Sequence, residues 1–173
     1  VDSLLTSPGS TFQYFALNGS SVILRGARLH SFSQGFAPPA LGASQTNSMN
    51  ASIDFEFSTD NGATFTPATS QATLVMRLNH VMDYNGASFF DAELLQLDVS
   101  GGSFAWMLRE SPTLVSHGGL AIQPAAGGSL VSGFFDVFLE LTTDGGNTWF
   151  SSQSSGHIEL RKDPNSALAV QIG

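Results

Sequence analysis

Two eight-residue stretches of nearly the same form constrain this chain more than any other feature. Ser58-Thr59-Asp60-Asn61-Gly62-Ala63-Thr64-Phe65 and Thr142-Thr143-Asp144-Gly145-Gly146-Asn147-Thr148-Trp149 stand 84 positions apart. The offset extends beyond them. Leu24 and Arg25 fall on Leu108 and Arg109, Gly35 on Gly119, Ala37 on Ala121, Ser48 on Ser132 and Glu56 on Glu140. Ser70 and Arg77 fall on Ser154 and Arg161, so a dozen identities accumulate without a gap. Self-similarity at a fixed offset marks an internal duplication.

Each unit reads as strands. Ile53, Phe55 and Phe57 alternate with Asp54 and Glu56, and Leu74, Met76 and Leu78 alternate likewise. That is the period of a half-buried strand. Val22–Leu29, Phe89–Val99, Phe104–Arg109, Phe134–Leu141, His157–Arg161 and Ala167–Ile172 pass the same test, and no stretch has convincing helical periodicity. Gly, Pro, Asn and Ser punctuate the gaps, as at Asn85-Gly86 and Asp163-Pro164-Asn165. The expected fold is all-β: an antiparallel β-sandwich built from two duplicated units in a pseudo-twofold relation. The units are residues 1–83 and 84–173, sharing one core, because four or five strands bury little apolar area alone. The seam His80–Gly86 carries apolar residues that a free linker would not.

The repeated turn has its own chemistry. An Asp at the start of a turn accepts hydrogen bonds from backbone amides further on. Gly supplies a positive φ, and the aromatic folds back onto the core. Asp60, Gly62, Thr64 and Phe65, with Asp144, Gly146, Thr148 and Trp149, are therefore expected to be structural turn residues. The pattern resembles the Asp-box of sialidases and other secreted β-proteins, whose turns lie away from the catalytic site. The longer run Gly133–Trp149 resembles a segment of exported PEP-CTERM-associated β-sandwich proteins of Gram-negative bacteria. The resemblance implies an extracellular or cell-surface location. The chain begins at Val1-Asp2, as a mature chain would after loss of a signal.

Composition removes several functions. Net charge is −8 with six basic residues, so a basic stripe for nucleic acid is missing. Membrane insertion is not expected either, since no apolar run reaches spanning length. No cysteine is present, which excludes disulfides and thiolate chemistry. His30, His80, His117 and His157 have no metal-binding spacing, and the Asp-Asn-Gly turns lack the further carboxylates that calcium takes. Glu56 and Glu140, equivalent by repeat, are read as cross-strand partners of arginine rather than as a hydrolytic pair. No nucleophile elbow, P-loop or dinucleotide fingerprint occurs. No catalytic residue, metal or cofactor is expected, and the chain is not expected to be an enzyme.

Low charge, richness in Ser, Thr and Gly, and duplication point to a secreted structural protein. It would be a subunit of an extracellular filament, sheath or matrix whose partners are copies of itself. The β-prone segment Ala167, Leu168, Ala169, Val170, Gln171 and Ile172 follows a Pro break and could complete a neighbour's sheet by strand addition. Val1–Ser10 could do likewise. The alternative is an extracellular carbohydrate-binding module that takes polysaccharide on Trp106, Trp149, Tyr14 or Tyr84.

Overall fold

The computed structural model describes residues 3–6, 12–33, 37–100, 106–125 and 128–162. These form twelve strands and no helix. β1 (Ser3–Thr6) and β2 (Phe12–Leu17) lie end to end along β3 (Ser20–His30). β4 (Ser44–Ser58), β5 (Thr66–Tyr84) and β6 (Ala87–Ser100) follow as long strands, each paired antiparallel with the last. The next positions in the wall are split. β7 (Met107–Glu110) and β8 (Ser116–Ala125) run along β6. β10 (Leu139–Thr142) runs along β7, and β9 (Gly128–Val137) along β8. β11 (Phe150–Ser151) and β12 (Gly156–Lys162) come last.

In place of two stacked sheets, one antiparallel sheet curls until its ends nearly meet. β12 pairs with β1, Ser3 opposite Lys162 and Thr6 opposite Glu159, which closes the ring at one end. At the other end β2 meets the turn after β11 through one bridge, Phe15 to Ser152. The result is an eight-position, nearly closed barrel in meander order. Length and irregularity cause the curl. Strands of 14 to 19 residues accumulate twist. Register shifts between Arg25 and Arg28, Val75 and Met76, and His80 and Met82 bend them further.

Alternation sorts the side chains. Leu24, Leu29, Ile53, Phe55, Leu74, Leu78, Leu94, Leu97, Leu108, Leu120, Val137 and Leu141 are buried from all round the wall, so the lumen is a packed apolar core. Asp54, Thr69, Gln71, Arg77, Asp91 and Glu93 lie at the intervening positions of β4, β5 and β6, outside that core. The expected strand Phe134–Leu141 breaks at Phe138 into β9 and β10. Of the expected strand 104–109, residues 104 and 105 lie outside the described residues; Met107–Glu110 form β7, with Trp106 just before it, packed on Phe55 and Phe57. Ser3–Thr6 pair within their own chain. Ala167–Ile172 lie outside the described residues.

The barrel has two unlike ends. The connections Asn18-Gly19, 59–65 and 143–149 sit at one. Asn85-Gly86, residues 37–43, Ser3 and Lys162 sit at the other.

Candidate functional site

Both aspartate hairpins are self-contained hydrogen-bond cages. Ser58 Oγ donates to Asp60 Oδ1 at 2.6 Å and accepts from the Gly62 amide at 2.8 Å. Thr64 gives its amide to Asp60 Oδ1 at 2.9 Å and its hydroxyl to Oδ2 at 2.6 Å. In the second copy Thr142 Oγ1 donates to Asp144 Oδ1 at 2.7 Å and accepts from the Gly146 amide at 3.0 Å. The Thr148 amide reaches Asp144 Oδ1 at 2.8 Å. Gly62 and Gly146 have φ of +85° and +95°, which explains the glycine at that position. The Ser58 hydroxyl, then the Thr64 hydroxyl and amide, hold the Asp60 carboxyl down to about 2. The Thr148 amide, then the Thr142 hydroxyl, do the same for Asp144, also to about 2. Each carboxylate is engaged in closing its own turn.

The aromatic of each hairpin lies under an arginine. The Arg25 guanidinium is 3.6 Å from the Phe65 ring centroid, and that of Arg109 is 4.0 Å from the Trp149 ring. Each arginine also binds the glutamate opposite it: Arg25 Nε to Glu56 Oε2 at 2.7 Å, Arg109 Nη2 to Glu140 Oε2 at 2.7 Å. The cross-strand pairs Ile23–Ser58, Leu24–Phe57 and Arg25–Glu56 recur as Met107–Thr142, Leu108–Leu141 and Arg109–Glu140. Both members of each pair move by 84 positions. The two glutamates differ in burial: the Glu56 side chain is 42% exposed and that of Glu140 is 10%. Trp149 Nε1 donates to Gly146 O at 3.0 Å, and Arg109 covers one face of its ring.

The histidines carry more structure than their sequence positions suggest. His80 is buried, with Nδ1 3.0 Å from Pro39 O and Nε2 2.8 Å from Asp83 Oδ1. It ties the segment before β4 to the end of β5. Ser88 also donates to Asp83, at 2.6 Å. The Ser88 hydroxyl, then His80, lower the Asp83 carboxyl below its ordinary value. His157 Nδ1 lies 2.7 Å from Asp136 Oδ1 and its ring stacks on Phe134. Hydrogen bonding to Asp136 raises its pKa. Glu110, opposite β10, is raised by burial, with Ser116 donating at 3.0 Å in opposition. Among the described residues no three His, Asp or Glu side chains are arranged to hold a metal ion.

One constellation was invisible along the chain. His30 ends β3, and Ser31 follows at φ +55°. Ser31 Oγ is 2.8 Å from His30 Nδ1, and His30 Nε2 is 3.1 Å from Asp54 Oδ2. Thr69 Oγ1 holds the other oxygen of Asp54 at 2.7 Å. Ser52 lies opposite His30, and Asp54 is two residues further along β4. The pairing register of β3 and β4 therefore creates the contact, and no local motif announces it.

Comparison of the chain with protein-family models, with curated proteins and with solved structures finds no match.

Proposed function

We propose that this protein is a secreted structural subunit that assembles with copies of itself into an extracellular filament, sheath or matrix. The observation that carries the reading is the pairing of Ser3 with Lys162. It brings Ser3 and Lys162 to one rim, while the aspartate hairpins occupy the opposite rim. β12 is paired by β1 on one side and β9 on the other, and on this reading the segment that follows Lys162 adds to the sheet of a neighbouring molecule. Strand addition from one rim to another surface is head-to-tail, and head-to-tail contacts whose rotation does not close build open chains.

The same proposal includes descent from a duplicated unit, with a pseudo-twofold axis along the barrel. It is supported by the Arg–Glu–aromatic triplets and by cross-strand pairs that shift by 84 residues on both sides. On this reading the β5–β6 hairpin joins the units, and the open β12–β1 pair is its symmetry mate.

Electron microscopy and light scattering on the full chain test the function. Filaments or sheets that disappear when residues 164–173 are deleted are the expected result. Monodisperse monomers at all concentrations would reject assembly, and an unaltered assembly after the deletion would reject the terminal strand.

A further inference from the structure

Ser31, His30 and Asp54 are linked in that order by two hydrogen bonds to the His30 ring. A carboxylate only accepts, so His30 Nε2 carries a hydrogen toward Asp54. In the neutral ring Nδ1 is then bare, and it accepts the Ser31 hydroxyl hydrogen. Asp54 is itself held by Thr69, so the orienting group does not swing freely. Ser31 occupies the left-handed region, which a non-glycine residue rarely adopts, and strain of that kind gathers at functional positions. The connectivity is that of a nucleophile, base and orienter with the two ring nitrogens exchanged relative to the usual serine triad, Nδ1 facing Ser31 and Nε2 facing Asp54.

We propose that Ser31 is the nucleophile of an open acyl-ester hydrolysis site, with His30 as its base and Asp54 as a positioning residue. The reaction needs water and no other co-reactant. Ser31 Oγ bonds to the acyl carbon as its proton passes to His30 Nδ1. The bond from that carbon to the alcohol oxygen breaks, and the leaving oxygen takes the proton from Nδ1. Water then adds to the acyl carbon and gives one proton to Nδ1. The acyl–Oγ bond breaks, Ser31 regains the proton, and a carboxylic acid leaves.

The surroundings set the substrate class. Ser31 is exposed and His30 half-buried, so the ester carbonyl must arrive from open solvent. Next to the site, Thr73 donates to Asn50 Oδ1 at 3.0 Å and Gln71 to Ser52 Oγ at 3.4 Å. These uncharged polar rungs suit a hydroxyl-rich alcohol. The substrates proposed for the site are therefore O-acyl esters of polyhydroxylated compounds. This inference does not depend on self-assembly and survives its failure.

The test uses the full chain with 4-nitrophenyl acetate and glucose pentaacetate as substrates, and a fluorophosphonate as label. Hydrolysis above the buffer rate and labelling of Ser31, read by peptide mass spectrometry, are expected. Ser31→Ala abolishes labelling, and His30→Gln lowers hydrolysis by about 10²-fold, the low end for a positioned general base. Asp54→Asn lowers kcat with KM unchanged, and Asp54→Glu restores part of it. His117→Gln, away from the site, leaves the rate as it was. Hydrolysis that persists in Ser31→Ala, label on another residue, or a wild-type rate equal to buffer overturns the proposal.

Discussion

Two glycines in the β8–β9 pair should set how closely those two strands pack. Gly118 sits opposite Phe135 and Gly133 opposite Leu120, all facing the lumen. Each glycine leaves room for the large side chain across from it. A Cβ on Gly133 would overlap the Gly119 carbonyl oxygen and come within 2.5 Å of Leu120 Cδ2. Carbon atoms pack best at about 3.5–4.0 Å, so the strands must separate by roughly 1 Å. The obstacle is partly backbone, so a rotamer change alone does not relieve it. Overpacking of this kind costs about 1–3 kcal/mol. For a chain of this size each kcal/mol lowers Tm by about 2–4 °C. Gly133→Ala should therefore lower the urea midpoint with the m-value unchanged, and lower Tm by at least about 2 °C. Combining it with Leu120→Ala should relieve the fraction due to the side-chain clash, with a coupling of about 0.5 kcal/mol or more. A Gly133→Ala variant within about 0.5 kcal/mol of wild type would refute the close packing of β8 on β9.

Three other outcomes are expected. Arg109→Ala strands a nearly buried carboxylate at Glu140 and should cost about 3 kcal/mol, whereas Arg25→Ala, beside the more exposed Glu56, should cost about 1 kcal/mol or less; equal losses in urea titrations would contradict the burial difference. Asp60 and Asp144 have folded values near 2 against 3.8 ordinarily, so their contribution is present above about pH 4 and lost as pH falls toward 2. The double variant Asp60→Asn, Asp144→Asn should flatten the pH dependence of stability across that window, and parallel curves would exclude the cages as its source. The raised pKa of His157 stabilises the fold below its ordinary 6.5 and stops doing so as pH rises through the folded value. NMR titration of the His157 ring should move downward in Asp136→Asn; an unmoved titration would remove Asp136 as the cause.

Alternation in β4 and β5 revealed which residues enter the core, because side chains on a strand must point to opposite faces. The hairpin cages were legible too, since Asp60 and Thr64, or Asp144 and Thr148, are close enough in sequence for turn geometry to join them. The strand break at Phe138 was not legible, because the apolar run continues through it and nothing local interrupts the pattern. The split into stacked sheets was expected for the same reason: strand patterns report inward and outward faces, and both a sandwich and a barrel satisfy them.

The all-β class, the repeated aspartate turns and the inward set of side chains can be read along the chain, because each depends on neighbours within a few residues. The rolling of the sheet, the meeting of Ser3 with Lys162 and the convergence of Ser31, His30 and Asp54 emerge in the folded barrel alone. Each of these depends on register between strands, and a shift of one residue would turn every side chain to the other face. Register follows from the summed packing of the whole barrel, which no local stretch of the chain contains.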